Sequence, residues 1–149
     1  MTIDDGVALI RRYYELFNAR RIHEASALVA DGCRFEHPAT RMRALGPGGY
    51  RAIIDEWLTA FPDTQVTVVR IESSGEHRFR ANLITRGHRD GILEVAPGIT
   101  VPGDQQPFEV TVVHEFEIRD GKIAAAVALF DRDDLVGGKP RYRGGDPPG

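Results

Sequence analysis

This 149-residue sequence has one cysteine, Cys33, a scarcity that excludes an internal disulfide and any thiolate-based zinc cluster. No apolar run reaches the roughly eighteen residues a membrane-spanning helix requires. At the N-terminus Asp4 and Asp5 precede a short apolar stretch, the reverse of a secretory signal. Positive charge is not in excess either: 19 basic residues against 22 acidic ones give a formal charge of −3, too little to neutralise a phosphate backbone. A soluble cytoplasmic protein with no nucleic acid and no membrane as partner is therefore expected. The glycine patterns of flavin and nicotinamide sites are missing, so no cofactor is expected. Lysine is nearly absent, with 17 of the 19 basic residues being arginine, and alanine, glycine, proline and valine are frequent, as in a GC-rich bacterial coding sequence.

What is present suits one core. A hydrophobic content of 42% over this length supports a single domain, placed at residues 1–136, followed by a Gly/Pro/Arg-rich tail, 137–149, expected to be flexible. Val7, Ile10, Tyr13, Tyr14 and Phe17 recur at helical spacing and predict a helix over 4–18; a second is predicted over 23–30. A third starts at Gly46-Pro47-Gly48-Gly49 and carries Tyr50, Ile53, Ile54, Trp57, Leu58 and Phe61 on one stripe before Pro62. The period is two over residues 33–38, 65–72, 79–89, 108–118 and 122–130, which read as strands. The outcome is an α+β chain in which three helices precede a four-stranded antiparallel meander. Residues 95–107 are too rich in proline and glycine for a ladder and read as a flap at a pocket mouth.

Alternation then decides which polar residues face inward. His37 shares a face with Cys33 and Phe35, and His114 shares one with Val110, Val112, Phe116 and Ile118. In the last strand Ile123, Ala125, Val127 and Leu129 lead in steps of two to Asp131, placing that carboxylate at the core end of the row. His88 falls with Arg78, Arg80 and Arg86 on the outer face. Each inward polar residue alone reads as a satisfied core hydrogen bond. Two imidazoles and a carboxylate together point to acid–base chemistry, because burying them is costly unless they share hydrogen bonds or a cavity. His37, His114 and Asp131 come from three elements without helical ligand spacing, so no metal is expected. Cys33 reads as inert core.

The order of elements and several local runs resemble the SnoaL-like polyketide cyclases and the ketosteroid isomerases of the nuclear-transport-factor-2-like superfamily. The resemblance spans about residues 5–136 and rests on Arg12-Tyr13-Tyr14-Glu15-Leu16-Phe17-Asn18-Ala19, on Phe35-Glu36-His37-Pro38, on Gly48-Gly49-Tyr50-Arg51 leading to Ala60-Phe61-Pro62-Asp63, and on Asp120-Gly121-Lys122-Ile123 leading to Asp131. The family's Gly-Thr-His-Thr-Gly run is represented by Gly87-His88-Arg89-Asp90-Gly91, with histidine one place early. The resemblance implies a cone-shaped fold with three N-terminal helices packed on a curved antiparallel sheet. It also implies non-redox ring closure in a hydrophobic polyketide during antibiotic biosynthesis, by aldol chemistry or a formal [4+2] cycloaddition. The run at 60–63 favours cyclase over isomerase. The matched positions put His37 at the general base, Tyr13 and His114 at a carbonyl oxygen, and Asp131 as an acid–base group beside an imidazole. Tyr14, Phe17, Trp57, Phe61, Val112, Phe116 and Leu129 would line the substrate cone. The alternatives are a double-bond isomerase acting on a steroid-like ketone and a non-catalytic small-molecule-binding module. A homodimer pairing through the outer sheet face, with Thr111, Val113, Arg78 and Arg80, is expected.

Overall fold

The computed structural model describes residues 2–96 and 98–136, apart from the side chains of Val95 and Ala96; the tail at 137–149 lies outside the described residues. Thr2 and Asp5 open the first helix with a reciprocal capping box: the Thr2 hydroxyl accepts from the Asp5 amide at 3.1 Å, and the Asp5 carboxylate accepts from the Thr2 amide at 2.9 Å. Helix α1 (Ile3–Asn18) buries Ile10, Tyr13, Tyr14, Leu16 and Phe17 along one stripe. Gly6 lies on the same side, where a Cβ would stand 2.1 Å from the Phe79 ring, so only glycine lets the helix approach the sheet this closely.

Helix α2 (Ile22–Ser26) is shorter than its sequence suggests, because the chain is already extended at Val29, which pairs with Ile123 far along the chain. Strand β1 (Val29–His37) leads through a 3₁₀ turn to β2 (Met42–Leu45) and then to α3 (Gly46–Ala60), with proline in its first turn and Pro62 beyond its end. The long strands follow: β3 (Gln65–Gly75), β4 (Arg78–His88), β7 (Pro107–Arg119) and β8 (Lys122–Leu129). The four form the predicted meander. The sheet is larger than that, however, with the order β2-β1-β8-β7-β4-β3, and β1 runs parallel to β8 while the other pairs are antiparallel. The fold is α+β, with α1 to α3 on the curved sheet, interleaved with β1 and β2, and a short α4 (Arg132–Val136) at the end of the described chain.

Two local expectations are corrected. Within 95–107 the chain does form a ladder: β5 (Leu93–Ala96) pairs with β6 (Ile99–Val101), and Leu93 and Val101 are buried. The turn between them uses Gly98 at φ +76°, a conformation glycine adopts freely. In β8 the register against β7 shifts between Glu117 and Ile118, which inserts an extra residue near Ala124. The alternation reverses there, so Ile123, Ala126 and Ala128 face inward and Leu129 faces outward. No helix among the described residues is long and apolar enough to cross a membrane.

Candidate functional site

Between the helices and the concave sheet lies a cavity of about 90 Å³, partly open to solvent. Its wall is aromatic and aliphatic: Tyr13, Tyr14 and Phe17 come from α1, Tyr50 and Trp57 from α3, and Leu83, Val110 and Val112 from β4 and β7. Among the described residues, no Asp, Glu, Lys or Arg lines it. Its polar side chains are the tyrosines, Thr64, Thr85, His37, His114 and the Trp57 indole. Trp57 Nε1–H donates to the Thr64 hydroxyl at 3.1 Å, and that hydroxyl donates to the Phe61 carbonyl at 2.6 Å, so both are satisfied within the wall.

His114 owes its place to its neighbours on the ladder. Ala81 and Ala128 stand across from it on β4 and β8, and their short side chains leave room for the imidazole. Phe116 packs against the ring at a centroid distance of 4.2 Å. The Tyr14 hydroxyl is hydrogen-bonded to Nδ1, while Nε2 is buried with no partner. Burial pushes the Tyr14 pKa well above its ordinary value and pulls His114 down to about 3, with nearby His37 adding to the second effect, so both groups are neutral near pH 7. If Nδ1 carried the proton, the Tyr14 hydrogen and the Nε2 lone pair would both lack partners. With Tyr14 donating to Nδ1, only the Nε2–H remains unmet. The second arrangement leaves fewer orphans and makes Nε2–H an unpaired donor on a side chain that lines the cavity.

One further polar atom, His37 Nδ1, is buried without a partner, while the buried Tyr50 hydroxyl lies within reach of Tyr13. His37 ends β1, and burial lowers its pKa to about 4. Tyr50 lies on α3 between Tyr13 and Phe35, with ring centroids 5.3 and 5.4 Å away, and burial raises its pKa above the ordinary value, a trend that Tyr13 partly opposes. The site thus offers two unpaired imidazole nitrogens, from β1 and β7, and the Tyr50 hydroxyl from α3, on a wall whose described residues carry no formal charge. Such a wall can bind a neutral apolar molecule and hydrogen-bond one oxygen of it.

Most of the residues expected at the site line it: His37, His114, Tyr13, Tyr14, Phe17, Trp57 and Val112. Four do not. Asp131 is exposed: its carboxylate accepts from the Asp133 amide at 2.8 Å and its carbonyl from the Asp134 amide at 3.2 Å, so it caps α4. Leu129 is 44% exposed on the outer face, as the β8 bulge requires. Phe61 and Phe116 lie one layer behind the wall, Phe61 between Trp57 at 4.7 Å and Phe108 at 4.9 Å, and Phe116 beneath His114. In their place the structure brings in Tyr50, which its helical stripe could have revealed, and Phe130, which becomes inward only through the bulge. Cys33 is buried and its thiol is pushed up to about 12 by burial, a trend Arg34 only partly opposes. His88 is exposed and bonds Asp63 at 2.6 Å, outside the cavity.

The comparisons with known proteins agree with this architecture. No curated protein is similar enough to count as a relative. Among solved structures, a candidate polyketide cyclase from Xanthomonas campestris is similar over 91% of this chain and 96% of its own, with a TM-score of 0.78 and 17% identity. IdmH, a candidate polyketide cyclase from Streptomyces antibioticus, gives a TM-score of 0.72 at 21% identity, covering 89% of this chain and 96% of its own. A protein with the ketosteroid-isomerase-like fold from Catenulispora acidiphila, solved with trimethylamine, gives 0.71 at 12% identity, covering 85% and 88%. These likenesses fix the fold. Residues 7–136 match the family described as SnoaL-like polyketide cyclase, and the chain belongs to that family.

Proposed function

We propose that this protein is a cofactor-independent polyketide cyclase, closing a ring within a hydrophobic carbonyl-bearing intermediate of natural-product biosynthesis with no net oxidation or reduction. The observation that carries this reading is the set of three buried polar groups, the His37 and His114 imidazoles, each with an unpaired nitrogen, and the Tyr50 hydroxyl beside Tyr13, on an aromatic wall whose described residues carry no formal charge. Folding a flexible chain so that its reacting carbons meet can lower an intramolecular barrier by about 7–11 kcal/mol, and a shaped apolar wall supplies that fold. His114 Nε2–H, with Tyr50 or Tyr13, polarises a carbonyl. In the aldol form His37 takes a proton from the carbon beside that carbonyl. The freed electron pair forms the new carbon–carbon bond to a second carbonyl carbon, and the proton returns to the second oxygen. Burial makes His37 a weak base, but the imidazolium formed is paired with an enolate in the same low-dielectric space. In the cycloaddition form the same donors only polarise the carbonyl.

Deleting the gene in its host and comparing extracts by high-resolution mass spectrometry tests the reading. A compound that accumulates as an isomer of the lost product, or heavier by one water, supports ring closure. A difference of one oxygen would mean oxidation, and an unchanged profile would favour a binding module. With the accumulated compound as substrate, His37→Ala should slow an aldol closure by roughly 10²–10⁴ and a cycloaddition only modestly. Asp131→Asn should leave the rate nearly unchanged, because its carboxylate caps α4. A donor pair facing a base also suits a double-bond isomerase; no ultraviolet shift with a β,γ-unsaturated ketosteroid would remove that reading.

The reading includes a cytoplasmic homodimer. Support comes from the outer sheet face, where Asn82, Val113 and Leu129 stand side by side across β4, β7 and β8, Leu129 is exposed, and Asn82 Nδ2 is buried without a partner. Light scattering should give twice the chain mass, and Leu129→Glu should halve it.

A further inference from the structure

Among the described side chains that line the cavity, only His37, Ile54, Val66 and Phe130 are partly exposed, and these four mark its rim. Three of them are held by regular structure. His37 is paired with Met42 between β1 and β2, and Ile54 lies in the middle of α3. Val66 is paired with Thr85 in β3, and its amide and carbonyl are both bonded by the Asn18 side-chain amide, at 2.9 and 2.8 Å.

Phe130 is different. It follows the last ladder pair, Leu129 with Val113, and precedes α4, so it lies outside both strand and helix. Its ring stands edge-on to His37 at 6.4 Å and 81°, and edge-on to Trp57 at 6.3 Å and 80°. One aromatic side chain therefore bridges the sheet side and the helix side of the rim. The space behind it, about 90 Å³, is well below the roughly 300–1,000 Å³ of pockets that enclose drug-sized ligands. A multi-ring ligand needs the rim to give. The backbones of His37, Ile54 and Val66 are fixed in a ladder or a helix, so only their side chains can turn, whereas Phe130, outside both, can move backbone and ring together.

We infer that Phe130 is the gate of this cavity and sets the width of the molecule it admits. The inference rests on the reading of the cavity as a site for an apolar ligand, and adds that ring number is selected at this side chain. Trp57 is the chain's one tryptophan and lines the cavity, so its fluorescence reports occupancy.

The test titrates wild type, Phe130→Leu and Phe130→Ala with two aryl ketones, acetophenone and 9-acetylanthracene, and follows binding by stopped-flow quenching of Trp57. Circular dichroism confirms that each variant is folded, with the leucine variant retained if the alanine one is not. The association rate for 9-acetylanthracene should rise in the order Phe, Leu, Ala, by tenfold or more overall, while that for acetophenone changes less than twofold. Equal changes for the two ketones, or no change for either, would overturn the gate while leaving the cavity a ligand site. If no form binds either ketone, the ligand-site reading and the gate fall together.

Discussion

His114 could be read from the sequence because five alternating residues on β7 point the same way, and all five, from Val110 to Ile118, are buried. Which tyrosine meets it could not. Tyr13 and Tyr14 are adjacent on one buried helical stripe, and periodicity puts both inward without fixing the roll that brings Tyr14 to Nδ1. Asp131 failed for a related reason. The run Ala124-Ala125-Ala126-Val127-Ala128 has so little contrast that a one-residue bulge leaves no mark in it, yet the bulge exchanges every inward and outward position beyond it. The Tyr14 bond makes a definite prediction. Two-bond proton–nitrogen spectra near pH 6 should show His114 as a neutral ring protonated at Nε2. Tyr14→Phe should produce a mixture of tautomers and cost about 1–3 kcal/mol in urea unfolding, as expected when a buried acceptor loses its donor. A wild-type ring protonated at Nδ1 would reverse the donor assignment.

The segment from 89 to 107 teaches a different lesson, because its prolines and glycines obscured an ordered element. Proline lacks an amide proton, so a run with Pro97, Pro102 and Pro107 reads as loop; β5 ends before the first of these and β6 lies between the first two, and side chains do the rest. Arg89, whose side chain is 6% exposed, donates to both Asp104 carboxylate oxygens at 2.9 and 3.1 Å, and the Arg89 amide donates to the Gln106 carbonyl at 3.0 Å. The Arg89 side-chain bonds hold the Asp104 carboxyl below the usual range, against burial, which raises it, and with help from the Gln106 amide. The two partners are not equivalent. Removing Asp104 strands a buried guanidinium, whereas removing Arg89 leaves a carboxylate near enough to the surface to hydrate. Asp104→Ala should therefore destabilise by about 3 kcal/mol and Arg89→Met by clearly less. Urea titrations of the two variants give the order, and equal losses would mean that the ion pair does not anchor the hairpin.

At the scale of the whole chain, α1, α3 and the meander were legible because each is a local periodic pattern, whereas β1 and β2 come between α2 and α3 and break the expected run of three leading helices. The parallel pairing of β1 with β8 joins residues about ninety apart and leaves no periodic trace, and β2 is only four residues long. The cavity is a product of that long-range closure, since β1 brings His37 to the rim of a wall that β7 supplies with His114. Bringing two imidazoles out of water together has a consequence for stability. In the unfolded chain each binds a proton near pH 6.5, while burial delays protonation in the folded protein to about pH 4 for His37 and about pH 3 for His114. Between these values the unfolded state holds more protons, so stability is complete above about pH 6.5 and falls as the pH is lowered. Approaching one proton per imidazole, the loss between pH 6.5 and pH 5 comes to roughly 3 kcal/mol for the pair. The lowered carboxylates, Asp63 and Asp104, start from an ordinary value of 3.8 and act mainly at lower pH, which leaves this window to the histidines. Urea unfolding at pH 7.5, 6 and 5 should follow that slope, and His114→Gln should remove about half of it. A wild-type midpoint that is flat from pH 7.5 to 5 would mean that water reaches both rings and that the wall is wetter than its side chains imply.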